Sequence, residues 1–410
     1  MIDILLIAAF FVTSAALLAL LLYPKVRTNT LWRATVTPLA SIIGSGFLVA
    51  APLLDKEIGA YAFIGIMSLV GLAFLIGRII RFNIHYIEPV MDKADTPKTL
   101  IYTEKTSHIA LAFAYFVSVA YYLYLLSAFL LKEGHIHSEL AAKITATAIL
   151  GGIIGLGVWK GLRAIERTEI YAVSLKLAII GGFLVCLAIY DAAHMASWQF
   201  SKTPDINLHT AQVLLGLLII VQGFETARFM GDAYDADTRA KAMRAAQILS
   251  ALIYFIFFLL LTPSMHLMGG KEDATAILNF ATHIGFFLSV ALTVMAVASQ
   301  FSASIADTIG SGGLIHGATD GKVSTRHAYL AVGFVGTLLI WTTDLEGVIS
   351  YASRAFALFY ALQCLVAMLR LYADRASRDI SHHTLRYAFF GIAMLFCIAV
   401  TIFGIPADGG

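Results

Sequence analysis

Two glycines and a serine interrupt an apolar stretch near the start of the chain. Between Thr37 and Pro52 the sequence is apolar enough to lie in a membrane, yet Gly44, Ser45 and Gly46 stand in its middle. Glycine costs a helix about 1 kcal/mol relative to alanine, and a serine hydroxyl can bond its own backbone, so a helix breaks readily here. The N–H groups freed by a break can bind an anion such as a carboxylate. Close helix packing through small residues is the competing interpretation.

A second apolar stretch is interrupted about 180 residues later. Gln222, Gly223, Phe224 and Glu225 interrupt the apolar residues from 208 to 231. Irregular backbone at membrane depth is tolerated only where it lines a cavity or is buried in protein. Two interrupted helices in corresponding positions of two halves of a chain indicate the substrate site of a transporter.

A lysine stands in the middle of a third apolar stretch, residues 168–191. A charge at the centre of a membrane span is costly, so Lys176 is a candidate functional residue. A buried lysine can bind and release a proton within a working pH range. The alternative is that its side chain reaches the membrane surface, because the helix ends about seven residues away, roughly 10 Å by helical rise. Glu225 is a second candidate proton carrier, unless it pairs with Arg228 on the same helix face.

Hydroxyl-bearing side chains lie on two further spans. Ser299, Ser302 and Ser304 could bind a sodium ion or accept a hydrogen bond from the Lys176 ammonium. A fixed ammonium repels sodium, so the presence of both favours a proton as the coupling ion. Packing with internally bonded hydroxyls is the alternative for the serines. Tyr122 could bond the substrate, and membrane-interface anchoring is the competing interpretation for it.

Three further features receive weaker assignments. Arg354, inside a later span, could serve as an outer gate or form an ion pair with a buried carboxylate. Asp307, which precedes a glycine-rich stretch, is expected at the cytoplasmic mouth. His135 and His137 have no cysteine or carboxylate partners at ligand spacing, so no metal site is predicted.

These residues must be positioned by membrane helices. The chain is 59% hydrophobic and 13% charged, with a mean hydropathy of +0.83, whereas soluble domains carry about 25% charged residues. Its net charge of +2 gives no indication of nucleic-acid binding. At about 20 apolar residues per span, twelve spans are predicted, near residues 3–23, 31–54, 59–82, 107–131, 139–159, 168–191, 208–231, 245–268, 277–309, 327–343, 346–372 and 385–405.

The basic residues predict the orientation in the membrane. If residues 24–33 are cytoplasmic, that side collects 21 lysines and arginines, and the other side collects 5. Because basic residues concentrate on the cytoplasmic side, both termini are expected on the non-cytoplasmic side. The chain is expected in the plasma (inner) membrane.

The two interruptions also carry a family resemblance. Gly44-Ser45-Gly46-Phe47 resembles the glycine-rich break in the first core helix of the amino acid–polyamine–organocation (APC) superfamily, and Gly223-Phe224-Glu225 resembles the matching motif of its sixth core helix. The resemblance covers the ten spans from 31 to 372. It implies an all-α polytopic membrane protein with the inverted five-plus-five repeat of the leucine-transporter fold, interrupted core helices 1 and 6, and one extra helix at each end. Two departures are the additional span at 3–23 and the charged turn 235–239.

This organisation divides the chain into four parts. They are an extra N-terminal helix (1–24), a first five-helix repeat (30–191), a second, inverted repeat (207–372) and a C-terminal helix (384–405).

The resemblance implies roles for residues at the interruptions. Backbone N–H groups of the first break would bind the carboxylate of a zwitterionic amino acid, and carbonyl groups near both breaks would bind its ammonium. Phe224 would close over the ligand, although ordinary packing is the competing interpretation. The candidate substrate-binding residues are Ser41, Ile42, Gly44, Ser45, Gly46, Val221, Gln222, Gly223, Phe224 and Tyr122. Lys176 would occupy the place on the fifth core helix where sodium binds in sodium-coupled relatives.

The sequence therefore predicts a secondary active transporter that takes up a small amino acid or related organic solute with protons, by alternating access. Its predicted partners are that solute, the coupling proton and the lipid bilayer. No cofactor is predicted, and common hydrolase and metalloprotease motifs are absent from the sequence. Two alternatives stay open: a sodium-coupled transporter or exchanger of a non-amino-acid solute or ion, and a membrane sensor that uses the transporter fold.

Overall fold

Helices make up every regular element in the described part of the chain. The computed structural model describes residues 2–91, 93–136, 138–159, 162, 169–202, 204–268, 274–373 and 382–407. Most of the predicted basic segment 160–167 lies outside the described residues, and only residue 162 of it is described. His137 also lies outside them. The main helices are α1 (Ile2–Leu22), α2 (Thr30–Ser45), α3 (Phe47–Ile58), α4 (Ala62–Tyr86), α5 (Lys98–Glu133), α6 (Glu139–Trp159), α7 (Glu169–Ala193), α8 (Leu208–Gly216), α9 (Ala236–Leu261), α10 (Ile277–Ile284), α11 (Phe286–Ala318), α12 (Thr325–Thr342), α13 (Leu345–Ala373) and α14 (His383–Phe403).

The predicted all-α membrane architecture is confirmed. Within the described residues, nine helical stretches are long and apolar enough to cross a membrane. One of them, Thr30–Tyr86, contains α2, α3 and α4 and accounts for two spans. The interrupted segment that begins with α8 and the shorter helix α12 complete the twelve predicted spans.

Some helix limits differ from the predicted spans. Helix α9 begins at Ala236, ahead of its apolar stretch, because the Asp235 side chain accepts a hydrogen bond from the Thr238 backbone N–H at 2.9 Å and caps the helix. The predicted span 277–309 is divided at Gly285 into α10 and α11. Apolar composition alone indicates neither the start of α9 nor the division at Gly285. A capped helix can continue beyond the hydrocarbon layer, as α9 does.

Both predicted interruptions are present, and they differ in form. In the first interrupted helix, which consists of α2 and α3, Gly46 alone separates the two halves. In the second interrupted helix, two short 3₁₀ segments, Leu218–Val221 and Phe224–Phe229, follow α8. Between them Gly223 has a φ of +116°, in the left-handed region that glycine adopts without steric cost.

Helix α1 packs on α7, the helix that carries Lys176. The α-carbon of Gly181 faces the Leu17 side chain, and that of Gly182 faces Phe10, so that a Cβ atom at either glycine would overlap its neighbour. The two glycines therefore form the surface on which α1 lies.

Helix α14 and the residues after it pack on the second half of the chain. Arg354 Nε of α13 donates a hydrogen bond to the Thr401 carbonyl at 2.8 Å, which identifies a partner for this arginine. The backbone N–H of Ile405 donates to the Gln212 carbonyl at 3.2 Å. Gly216 lies against the Ile405 carbonyl, with no room for a Cβ atom. The tail is thus fastened along α8.

Loops rich in lysine and arginine meet at one end of the molecule, which we call the basic end. Lys105 at the start of α5 binds Asp320 after α11 at 2.8 Å, and its hydrogen bond and charge hold the pKa of Asp320 below the usual value. Arg239 Nη1 donates to Glu88 at 3.0 Å. These contacts join loops that the charge pattern predicts on one side of the membrane.

An ion pair is buried just inside the basic end. Arg228, in the second interrupted helix, donates from Nη2 to Glu104 of α5 at 2.7 Å, and the two side chains are only 3% and 5% exposed. Arg228 Nη1 also bonds Gln363 of α13, and the Arg228 carbonyl accepts from Arg239 of α9 at 2.5 Å. The pair therefore joins four separate helical elements.

We expect Arg228→Met to destabilise the protein by roughly 3–5 kcal/mol, because it leaves the buried Glu104 carboxylate without its guanidinium partner. The double variant Glu104→Gln/Arg228→Met should recover part of that loss. Denaturant unfolding of the four proteins of this double-mutant cycle in detergent measures the coupling. Asp320→Asn, which removes an exposed ion pair at the same end, is the matched control and should unfold like the wild type. Equal stability of Arg228→Met and the wild type would contradict the expectation.

Candidate functional site

The two interrupted helices touch through their glycines. The α-carbon of Gly46 faces the Ile220 backbone so closely that a Cβ atom would overlap the Ile220 carbonyl. Gly223 lies against Ser41 of α2 in the same way. The residues that the sequence singles out at 44–46 and 221–223 are therefore brought together, and the absence of side chains at both glycines allows the backbones to approach.

Side chains from other helices hold the backbone groups near the second break. The Tyr254 hydroxyl of α9 donates to the Ile220 carbonyl at 2.8 Å. The backbone N–H of Ile219 donates to Ser353 Oγ of α13 at 2.9 Å. An unpaired backbone group is expensive at membrane depth, so these bonds make the irregular segment tolerable there.

The remaining residues predicted at the break are buried around it. Tyr122 of α5 is fully buried, and its hydroxyl accepts from Gln222 Nε2 at 3.3 Å. Ile42 and Val221 line a small cavity of about 10 Å³ beside Tyr254. Of Ser45 only the backbone position, as the last residue of α2, is described.

The Lys176 side chain points into the first interrupted helix. Its Nζ atom donates to the Ala40 carbonyl at 2.9 Å and lies 3.7 Å from the place where a Cβ of Gly44 would be. The residue is 6% exposed. A lysine that reached the membrane surface would extend toward its own helix end, so the geometry does not fit the surface-reaching alternative.

Helix α11 meets the first break from the other side. Ser299 Oγ and Gln300 Nε2 donate to the Gly44 carbonyl at 3.3 and 3.1 Å. Ser302 lies one turn further along the same face and lines the cavity beside Lys176. Ser304 is fully buried and bonds a carbonyl of its own helix instead, so the structure separates it from the other two serines. Gln300 was not predicted, although a glutamine between serines in an apolar span is a recognisable signal.

A cavity of about 40 Å³ separates α2, α7 and α11 on the basic-end side of the first break. We call it the inner cavity. Alanines at 298, 303 and 306 of α11 leave the space open, and Lys176 and Asp307 both line it. Asp307 is 4% exposed, so its expected position at the cytoplasmic mouth is wrong. The reason is that α11 continues to Ala318, which puts Asp307 well inside the helix.

The Glu225 carboxylate faces inward from the second break. It is fully buried, and Oε2 accepts from the Tyr360 hydroxyl at 2.7 Å and from the Gly223 N–H at 3.0 Å. Oε1 has no hydrogen-bond partner among the described residues. Phe224 stacks on the Tyr360 ring at a centroid distance of 5.4 Å. The suggested pairing of Glu225 with Arg228 is therefore wrong: a tyrosine holds the carboxylate and Glu104 holds the arginine.

Comparisons with known proteins agree with this arrangement. A family model described as APC superfamily transporter matches residues 24–404, which leaves out α1. An uncharacterized protein of Aquifex aeolicus (strain VF5) is 40% identical over 367 residues, which make up 88% of this chain and 89% of that protein. The crystal structure of MhsT in complex with L-phenylalanine superposes with a TM-score of 0.58 over 91% of this chain and 98% of that one. Its 14% sequence identity makes this a likeness of fold, that of the leucine transporter.

The family match describes a transporter and not an enzyme. The chain belongs to the APC superfamily of transporters.

Proposed function

We propose that this chain takes up a small amino acid or a related organic solute together with protons. Family membership already makes it a secondary transporter of a small molecule, embedded in a membrane; the proposal concerns the solute and the coupling ion. The observation that carries it is the meeting of the two interrupted helices beside the Lys176 ammonium.

Backbone groups at the two breaks suit both charged ends of an amino acid. The first N–H groups of α3 lie at the positive end of a half-helix, which favours a carboxylate. Carbonyl groups at the end of α2 favour an ammonium, and the Lys176 ammonium already binds the Ala40 carbonyl about one turn before that end. MhsT, which shares the fold, was crystallised with L-phenylalanine. That ligand supports the class of amino acids, since all of them share the two groups that the backbone would bind.

The position of Lys176 favours a proton over sodium as the coupling ion. Its ammonium stands between Ala40 and the Gly44 region that Ser299 also contacts. A sodium ion bound to oxygen atoms there would lie next to a fixed positive charge, which repels it. Release of the lysine proton would remove that charge and weaken the bond between α7 and α2. Glu225, whose Oε1 has no hydrogen-bond partner in the described part of the chain, is the second proton-binding group of the proposal.

The charge distribution supports an orientation for uptake. We place the basic end on the cytoplasmic side of the plasma (inner) membrane, with both termini on the other side. The inner cavity then lies between the breaks and the cytoplasm. Alternating access would rock the two interrupted helices, α4 and α9 against the remaining core helices, around the contact between Gly46 and Ile220.

Uptake into proteoliposomes tests the proposal. Labelled forms of the twenty common L-amino acids, supplied singly, should identify at least one that accumulates under an inward proton gradient in the absence of sodium. Lys176→Met should abolish this accumulation and retain binding of that amino acid, because the breaks stay and the proton carrier is lost. Lys202→Met, in an exposed loop, is the control and should transport like the wild type. Accumulation that needs sodium and ignores the proton gradient would refute the coupling.

The glycine contact gives a separate prediction. We expect Gly46→Ala to lower both the melting temperature in detergent and the rate of uptake, because its methyl group cannot fit against the Ile220 carbonyl. Gly71→Ala in α4 is the matched control, since no atom lies within 4 Å of a Cβ there, and it should leave stability unchanged or raised by about 1 kcal/mol. Normal uptake by Gly46→Ala would show that the close approach is not required.

A further inference from the structure

The inner cavity is lined by a second ionisable residue, Asp307. The sequence analysis expects it at the cytoplasmic mouth, and the proposed function does not use it. Asp307 is 4% exposed and lines the cavity together with Lys176. An aspartate at membrane depth is costly and needs either a structural or a functional explanation.

Helix α11 presents one continuous face to this cavity. Ser299, Ser302, Ala303, Ala306 and Asp307 all line it, with the spacing of residues on one side of a helix. Ser299 lies at the first break, and Asp307 lies about 12 Å nearer the basic end by helical rise. The alanines leave a space of about 40 Å³, enough for a few water molecules in a row. The polar face therefore leads from the break toward the basic end.

The hydrogen bonds of Ser118 fit either protonation state of Asp307. The Ser118 hydroxyl of α5 lies within bonding distance of Asp307 Oδ2 and also 3.1 Å from the Tyr115 carbonyl. A serine hydroxyl has one proton to donate and can also accept. When Asp307 is ionised, Ser118 donates to it; when Asp307 is protonated, the acid donates to Ser118, which then turns its proton to Tyr115. The hydrogen bond between Ser118 and Asp307 can therefore be kept while Asp307 gains or loses a proton.

We propose that Asp307 is the inner proton acceptor of this transporter, taking up through water in the inner cavity the proton that Lys176 releases. The inference rests on the proposed proton coupling and adds the residue that receives the proton. The Lys176 ammonium gives a proton to the first water of a short chain in the cavity, and the last water of that chain gives one to the Asp307 carboxylate. Lysine becomes a neutral amine and aspartate a neutral acid, so no net charge is created. Asp307 then releases the proton when the cavity opens to the basic end.

The energetics of this step follow from burial. Before the transfer the cavity contains one positive and one negative group, and each of them carries a desolvation cost. After the transfer both groups are neutral, which lowers that cost in a low-dielectric site. Among the described residues, Glu225 of the second break and Tyr115 of α5 are further ionisable groups close enough for their charges to act on Asp307.

The test separates proton coupling from binding and exchange. Asp307→Asn keeps the size and a hydrogen bond to Ser118 but cannot change charge. In proteoliposomes, the amino acid that wild-type protein accumulates serves as the probe. We expect Asp307→Asn to bind it and to exchange labelled for unlabelled probe across the membrane, and to lose both gradient-driven accumulation and probe-driven proton uptake measured with an internal pH dye. Asp320→Asn, an exposed acid near the end of the same helix, is the matched control and should keep all four properties.

Each result has a defined consequence. Wild-type accumulation and proton uptake in Asp307→Asn, with both lost in Lys176→Met, would overturn the role of Asp307 and leave the proposed function intact. Wild-type protein whose accumulation shows no proton dependence would overturn both, and wild-type protein that accumulates none of the twenty amino acids would overturn the amino-acid part of the proposed function. If Asp307→Asn does not fold, Asp307→Glu decides. It keeps the acid on a longer arm, so its accumulation should persist with a shifted pH profile, and an unchanged profile would contradict the proposal.

Discussion

The structure depends on one constraint, which is that backbone polar groups inside a membrane need partners. A continuous helix satisfies them by itself, and an interrupted one releases some of them. Here the backbone groups near the breaks are bonded by side chains of other helices: Tyr254 from α9, Ser353 from α13, and Gln300 from α11. The irregular backbone is therefore also what ties the surrounding helices to the centre of the molecule.

Buried charged groups occur in two places, which differ in how many hydrogen-bond and ion-pair partners these groups have. At the basic end, Arg228 and Glu104 bond each other, and glutamine, arginine and glutamate side chains surround them. Such a network fixes the relative positions of its elements, because breaking it leaves an uncompensated charge. Nearer the breaks, Glu225 Oε1 has no hydrogen-bond partner among the described residues, and Asp307 lines the inner cavity. A buried carboxylate oxygen with an open acceptor position is available to a proton or to a ligand.

The sequence allowed the fold to be predicted, but only part of the site. Gly46 and Gly223 marked the breaks, Gly46 because a Cβ atom would overlap the Ile220 carbonyl and Gly223 because its φ is +116°. Lys176 stood out as a charge in the middle of an apolar span. Long-range partners could not be predicted: Glu104 lies 124 residues from Arg228, and nothing local pairs them. Asp307 was misplaced because the apolar signal faded before α11 ended. Whether the residues at the breaks bind a substrate is still a prediction.

The carboxyl-terminal tail also has a mechanical consequence. Ile405 is bonded to Gln212 and lies on the bare surface of Gly216, so α8 cannot tilt without carrying the tail or detaching it. A distance measurement would distinguish the two outcomes. A spin label at residue 407, paired with one on α13, would report the tilt of α8 as a distance change if the tail is carried and as a loss of order if it detaches. A label on the tail would thus report motion during transport without altering the site.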